Sequence, residues 1–168
     1  MANSSTIPSG LCLCQSTSTD GATIPSRFPA MKRHPQLLQL SREHYGALKL
    51  ARDARLAAES GEASEVSALA QHIVSLFSAE LDSHFRVEEQ GILVLLAQVG
   101  KHELVERTLA EHAELCRLAK LLTNPNTDTL LRFADMLTAH VRFEEREVFE
   151  IAQAEMAMSL GCSEGPNS

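Results

Sequence analysis

The sequence predicts an all-α protein, specifically an antiparallel up-down-up-down four-helix bundle that follows a disordered N-terminal tail. The chain has 168 residues, which is a single-domain length, and 44% of them are hydrophobic, with no Trp and one Tyr. It is rich in Ala and Leu and has few β-branched runs, a composition that favours helices. Apolar residues recur at helical spacing in four segments joined by short connections, so consecutive helices should run in opposite directions.

The first two helices are predicted over about residues 35–59 and 64–99. Pro35 suits the first turn of a helix, where its missing N–H would have had no partner. Gly61 and Gly100 follow the two segments, and glycine commonly ends a helix because it adopts a left-handed conformation readily.

The third and fourth helices are predicted over about residues 101–122 and 127–158. The sequence Thr123-Asn124-Pro125-Asn126 forms the turn between them, and Thr127 or Asp128 can cap the last helix. The chain therefore divides into a flexible tail at 1–30, rich in Ser, Thr, Pro and Gly, a bundle at 31–160 and a loose end at 161–168.

Composition excludes several classes of function. The net charge is −7, with no basic stripe to bind nucleic acid, and no apolar run approaches the roughly 20 residues that span a membrane. The N-terminus lacks a secretory signal, and Cys12, Cys14, Cys116 and Cys162 form no disulfide framework, so we expect a reducing, cytoplasmic location. The sequence does not predict an oligomeric state.

Two strings of six residues, at 84–89 and 140–145, are nearly the same and read His-x-x-x-Glu-Glu. Each is preceded along the chain by a Glu-His pair, at 43–44 and 111–112. On a helix, residues four apart lie about 40° from each other, so each His-x-x-x-Glu directs an imidazole and a carboxylate the same way.

These groups fall on the apolar stripes of the predicted helices, where buried ionisable side chains require partners. A cation would supply a partner to all of them at once, and the set suits a site for two metal ions. The alternative is a buried His–Glu hydrogen-bond network without metal, which would bury its charges at considerable cost. The predicted stripes are Leu37, Leu40, His44 and Leu48; Ile73, Phe77, Leu81, His84, Glu88 and Leu95; Leu109, His112 and Cys116; and Leu130, Phe133, Leu137, His140, Glu144 and Ile151. The six candidate metal ligands are His44, His84, Glu88, His112, His140 and Glu144.

Three further histidines are expected to lie outside the site. His34, His72 and His102 precede the candidate histidines by ten to twelve residues, which is about 15 Å or more along a helix. His34 is better placed as a cap or surface group. Glu89 and Glu145 are turned about 100° from the candidate carboxylates, and we expect them to support ligands or face solvent. The alternative is direct ligation, above all by Glu145 if the last helix is locally distorted.

Four other residues fall near the predicted site. Gly91 and Glu147 lie seven residues beyond His84 and His140 and should face the core; Gly91 could leave room for a small ligand or allow close helix packing. Tyr45 could donate a hydrogen bond to the site or lie at its rim. Cys116, one turn after His112, is expected to be an inert core residue.

Over residues 31 to about 156 the chain resembles the hemerythrin-like, or HHE cation-binding, family. The matching residues are Arg33-His34-Pro35, Leu40-Ser41-Arg42-Glu43-His44, His84-x3-Glu88-Glu89, Glu111-His112 and His140-x3-Glu144-Glu145. The resemblance implies a four-helix bundle that holds two non-haem iron ions bridged by the two glutamates, with zinc or manganese as possible replacements. It also implies O2 or NO as a ligand.

The chain departs from the oxygen-carrying members of that family. They have five histidines, with an i+4 pair on the third helix, whereas Thr108 and Cys116 stand at those distances from His112 here. Tyr45 stands where close relatives often carry another histidine. The missing donors weaken the case for a reversible oxygen carrier.

Three functions remain open from the sequence. The first is a di-iron protein that binds or senses dioxygen, nitric oxide or redox state in a stress response. The second is an enzyme that reduces peroxide or nitric oxide or repairs iron centres, for which Glu147 and Tyr45 are the available acid or base groups. The third is a bundle whose zinc or mixed-metal ions are structural.

Overall fold

The structure is a computed structural model that describes residues 33–161, with side chains to Met158. The described residues form four helices and no strands. Helix α1 is Pro35–Ser60; α2, residues 63–98, consists of Ala63–Leu76, Phe77–Leu81, Asp82–Gln90 and Ile92–Gln98; α3 is His102–Leu121; α4, residues 127–161, consists of Thr127–Phe143, Glu144–Val148 and Phe149–Gly161. The all-α fold predicted from the sequence is confirmed.

The predicted tail at 1–30 lies outside the described residues. At the other end, α4 continues to Gly161, with which the predicted loose end began, and residues 162–168 are not described. Apart from the C-terminal end of α4, every helix begins and ends within one residue of its predicted position.

Local chemistry explains where the helices begin and end. Pro35 is at the first turn of α1, and the ring Nδ1 of His34 accepts a hydrogen bond from the backbone N–H of Gln36 (3.4 Å). Asn126, rather than Thr127 or Asp128, caps α4, because its side-chain oxygen accepts from the N–H of Thr129 (2.8 Å).

Two of the glycines act as stops. Gly61 (φ 71°) and Gly100 (φ 78°) have the left-handed conformation in which a helix commonly ends.

Two π-helical turns interrupt the long helices, Phe77–Leu81 in α2 and Glu144–Val148 in α4. A π turn holds one more residue than an α turn, so it shifts by one residue which side chains face the core beyond it. The second π turn begins at a candidate ligand, Glu144. Its effect is visible at the end of the turn, where Val148 is buried and Glu147 is exposed.

The hydrophobic core has two clusters. The larger collects the end of α1, the start of α2, the end of α3 and the start of α4; the smaller collects the opposite ends. Helices that alternate in direction give this distribution. On each helix the buried polar residues lie between the parts that enter the two clusters, so the candidate site forms a polar layer across the bundle.

The predicted apolar stripes are correct for most positions and wrong at a few. Leu109 was expected in the core but is 42% exposed, and the buried positions around His112 are Thr108 and Leu115 instead. Leu48, Leu95, Cys116 and Ile151 are only half-buried, and the fully buried apolar positions beside them include Ala47, Leu96, Leu115 and Ala152.

Candidate metal centre

All six candidate ligands meet in the polar layer between the two core clusters. Each helix contributes one histidine, and α2 and α4 each add a glutamate one turn after theirs. The exposed fractions of the six residues lie between 0% and 6%, for His44, His84, Glu88, His112, His140 and Glu144. The four helices thus hold six polar groups in a layer that is shielded from solvent.

The six side chains form two overlapping groups of four. One group contains the histidines of α1 and α2, His44 and His84, and the other those of α3 and α4, His112 and His140. Both groups include Glu88 and Glu144, and within each group the donor atoms all lie within 4.8 Å of one another. The two carboxylates are therefore shared between two adjacent positions for a cation.

The distances among the donor atoms suit metal coordination. His44 Nε2 lies 3.1 Å from a Glu144 oxygen and His84 Nε2 lies 3.2 Å from a Glu88 oxygen. In the second group, His112 Nε2 lies 3.4 Å from Glu88 and His140 Nε2 lies 3.2 Å from Glu144. Two ligands at about 2.1 Å from one ion, at ordinary coordination angles, are roughly 3 to 3.6 Å apart.

The hydrogen-bonding state of these atoms also fits a metal pair. Seven buried atoms have no hydrogen-bond partner among the residues that the structure describes. They are both oxygens of Glu88 and of Glu144 and the Nε2 atoms of His44, His112 and His140. Buried polar atoms are nearly always hydrogen-bonded, and seven unpartnered atoms in one layer need an explanation. Two cations at the two positions would satisfy them.

The other ring nitrogen of each histidine is held by an outer carboxylate. The Nδ1 atoms of His44, His84, His112 and His140 lie 2.7–3.0 Å from carboxylate oxygens. Such a contact fixes the ring orientation and the tautomer that directs Nε2 towards a metal. The outer partners, in the same order, are Glu145, Glu43, Glu89 and Glu111.

These contacts follow a pattern that repeats in the two halves of the chain. Each Glu-His pair supplies an outer carboxylate to the histidine of the next helix: Glu43 to His84, and Glu111 to His140. Each second glutamate of the His-x-x-x-Glu-Glu strings holds a histidine of another helix. The repeated Glu-His pairs are visible in the sequence, but the role of their glutamates is not, because it depends on contacts between helices.

Arginines hold two of the four outer carboxylates. Arg33 donates to Glu145 (2.6 Å), and Arg107 donates to Glu111 (2.8 Å). Within residues 33–158 no arginine or lysine contacts Glu43 or Glu89, whose side chains are 42% and 38% exposed. As a result, each group of four has one histidine backed by an arginine-held carboxylate and one backed by a solvent-exposed carboxylate.

Two aromatic rings cover faces of the site. The ring of Phe149 stacks on His44 with the centroids 5.1 Å apart, and that of Phe85 stacks on His112 at 4.0 Å. Both phenylalanines are almost completely buried. They exclude water from the histidine faces and so strengthen the electrostatic interactions within the layer.

Without an ion, protons would balance the charges of the two inner carboxylates. Burial opposes charge on His44, but the carboxylates of Glu144, Glu145 and Glu88 outweigh it and raise the pKa of His44 to about 11. Burial also opposes charge on His112, but the neighbouring carboxylates outweigh it and raise the pKa of His112 to about 10. Burial is likewise outweighed at Glu88, whose pKa the surrounding histidines hold well below its usual range. Metal binding must therefore displace protons from the histidines.

The structure separates the remaining sequence candidates from the site. Tyr45 is 78% exposed, so it does not donate into the layer, and Glu147 also faces solvent. Gly91 interrupts α2 near α1: a Cβ there would lie 2.9 Å from the Gln36 side chain, which indicates close packing. Cys116 is half-buried, and burial raises the pKa of its thiol.

The three histidines expected to lie outside the site do so. His34 caps α1, as expected, and His72 and His102 are exposed.

The contact of Arg33 with Glu145 leads to a prediction about metal affinity. Arg33→Ala should lower the affinity by a few-fold, because Glu145 loses its anchor and His44 its fixed ring; changes to an outer carboxylate itself typically cost about 10–100-fold. Removal of residues 1–30, which keeps Arg33, should leave metal content and melting temperature unchanged. Competition with a chromophoric chelator measures both variants, and equal losses would contradict the role of Arg33.

Comparisons with known proteins place the chain in a family. Residues 37–152, more than half of the chain, match the family model described as the hemerythrin HHE cation-binding domain. Searches of curated proteins and of solved structures found no match. None of the helices in the described part of the chain is long and apolar enough to cross a membrane. The buried His and Glu groups suit the cation binding for which that family is named, and the chain belongs to the hemerythrin HHE cation-binding domain family.

Proposed function

We propose that the chain is a non-haem di-iron protein that binds or senses dioxygen, nitric oxide or redox state, within a cytoplasmic stress response. The proposed ligands of the two ions are His44, His84, Glu88, His112, His140 and Glu144. The observation that carries the proposal is the sharing of Glu88 and Glu144 between two groups of buried histidines. Shared carboxylates favour two ions at neighbouring positions over one ion or two distant ones.

The donor set is compatible with iron, the metal of this proposal. Each position has two imidazoles and two carboxylates, a mixture of nitrogen and oxygen donors that suits iron and manganese as well as zinc. A pair of iron ions would supply two adjacent redox-active centres with coordination positions left for a small ligand. The chain's own contribution is to orient the four rings, to exclude water at Phe85 and Phe149, and to neutralise the cations.

Zinc is the second candidate, because four donors at each position satisfy its preferred coordination number. In that case the ions would be structural and the protein would have no visible absorption. No observation favours the enzymatic alternative in the same way, since Tyr45 and Glu147, the acid or base groups considered for it, both face solvent.

Metal analysis tests the proposal directly. Protein purified without oxygen should contain about two first-row transition ions per chain, mostly iron, and should develop near-ultraviolet and visible absorption on exposure to air. Addition of nitric oxide to the reduced protein should change that spectrum. Two zinc ions and a colourless protein would support the structural alternative. A metal content near zero, in protein that still unfolds cooperatively, would contradict both.

A further inference from the structure

A groove of about 600 Å³ lies between α1 and α2 and reaches the edge of the metal centre. His84 and its outer partner Glu43 line it, together with apolar residues of both helices such as Leu50 and Leu81. The proposed function does not account for this groove, which is far larger than a diatomic ligand requires; sites of this size usually admit larger species.

The groove is open because small residues and a π turn separate the two helices there. Gly46 and Ala47 of α1 line one side, and Ala79, within the π turn Phe77–Leu81, lines the other. Apart from the adjacent backbone of α1, no atom of the described residues lies within 4 Å of the place that a Cβ on Gly46 would take, so there is room for a side chain there. The gap therefore comes from side chains that are absent, and a larger side chain at Gly46 would fill it.

His84 is also the most accessible of the four histidines. Its side chain is 6% exposed, compared with 3%, 3% and 1% for those of His44, His112 and His140. The Nε2 atoms of those three are completely buried, and His84 is the one histidine of the four whose side chain lines the α1–α2 groove. The groove thus ends at the most exposed of the four candidate histidine ligands.

The charges along the groove do not oppose a cation. Its carboxylates are Glu43, Asp53 and Glu80, and its cations are Arg42 and Lys49, of which Lys49 is paired with Asp53 (2.8 Å). The balance is one negative charge, to which the buried carboxylates beyond His84 add their attraction.

A second groove, between α2 and α3, supplies a natural comparison. It has a volume of about 330 Å³ and is lined by His112, Glu89, Ala113 and other residues of the two helices. There, however, the ring of Phe85 stacks on His112 at 4.0 Å, and His112 Nε2 is completely buried. This groove stops at the outer face of the histidine.

We propose that divalent metal ions enter and leave the centre through the α1–α2 groove, and that His84 is the first donor they meet. The proposal rests on the proposed function, since it needs the di-metal site. It adds the path of the ion and the order of its contacts. An entering ion passes Gly46 and Ala79, binds His84 Nε2, and then reaches the shared carboxylates. The α2–α3 groove does not conduct ions.

The test is the rate at which metal-free protein takes up Co²⁺, followed by its visible absorption after rapid mixing. Gly46→Leu should fill the groove and slow uptake by on the order of tenfold, because close packing leaves no passage for an ion. The final content should remain two ions per chain. Loss of Co²⁺ to excess EDTA should slow by the same factor, since a route is shared by both directions. Leucine is a better helix former than glycine, so the Gly46→Leu variant should fold.

Ala113→Leu in the α2–α3 groove is the matched control and should change neither rate by more than about twofold. Ala79→Leu, a second obstruction of the first groove, should reproduce the effect of Gly46→Leu. If both obstructing variants load as quickly as the unchanged protein, or if Ala113→Leu is the slow one, the route is wrong. Reduced final content in both obstructing variants would also contradict it, because an obstruction acts on rate. Unchanged protein that takes up no Co²⁺ contradicts the di-metal function itself.

Discussion

Changing Glu88 or Glu144 to alanine should remove most of the metal, leaving one ion per chain or fewer in place of two. Each carboxylate belongs to both groups of donors, so each substitution takes a ligand from both positions at once. The two variants should therefore be about equally affected, although the residues lie on different helices. Metal analysis after purification without oxygen, together with the melting temperature, measures the effect.

Substitution of a carboxylate that contacts a histidine Nδ1 atom should have a smaller effect on metal binding. Glu89→Ala and Glu145→Ala should keep both ions at saturating metal and lose about 10–100-fold in affinity, since they orient ligands without being ligands. Glu147→Ala removes the same charge from the exposed face of α4 and should change nothing. Should Glu89→Ala and Glu145→Ala lose the metal while Glu88→Ala and Glu144→Ala retain it, the assignment of ligands is off by one residue.

Loss of metal should also lower stability without preventing folding. The two core clusters on either side of the polar layer consist of apolar residues and need no ion to form. A ligand that binds only the folded state stabilises it by RT ln(1 + [L]/Kd), about 4 kcal/mol at a thousandfold excess over Kd. The Glu88→Ala and Glu144→Ala variants should thus unfold cooperatively at a lower temperature that no longer depends on added metal.

The helical architecture could be predicted from the sequence because its signals are local and repeated. The order of elements follows from local features alone, without knowledge of long-range contacts. These features are four amphipathic segments, Pro35 at a helix start, and Gly61 and Gly100 at helix ends. The π turns could not be predicted, since a fifth residue in one turn depends on packing between helices. For this reason the buried face predicted for the end of α4 was wrong.

Glu147 shows how a π turn misleads a count along the sequence. In a regular α-helix, the seventh residue after His140 lies on the same face, so Glu147 was expected in the core. The π turn Glu144–Val148 inserts one residue, and the buried positions become Val148 and Ala152 in place of Glu147 and Ile151. The candidate ligands of α4 are unaffected, because His140 comes before this turn and Glu144 is its first residue.

The outer carboxylates show a different limit. His-x-x-x-Glu spacing is a property of one helix, so the inner ligands could be proposed from the sequence. The contact of Glu43 with His84, or of Glu145 with His44, joins different helices and depends on how these are rotated about their axes. The contact of Arg33 with Glu145 spans 112 positions of the chain, so no local sequence pattern indicates it.

Removal of the metal should make stability depend strongly on pH in the alkaline range. In metal-free protein the pKa of His44 is raised to about 11 and that of His112 to about 10, from 6.5 in the unfolded chain. The folded state then binds more protons than the unfolded state between these values. The stabilisation is complete below pH about 6.5 and is lost as pH rises towards 10 to 11. Each pKa unit corresponds to about 1.4 kcal/mol, so the loss should be on the order of several kcal/mol.

Urea unfolding of chelator-treated and metal-loaded protein from pH 6.5 to 10 separates the site from other groups that titrate there. Loaded protein should change little, because the ions replace the protons as counter-charges to Glu88 and Glu144. Metal-free His44→Gln and His112→Gln variants should show a shallower dependence than metal-free unchanged protein, since each lacks one of the titrating rings. Lysines and Tyr45 remain in every variant and contribute equally to all of them. Parallel curves for loaded and metal-free protein would mean that the buried carboxylates are not balanced by protons on the histidines. The ions would then have no protons to displace, and metal uptake would be independent of pH.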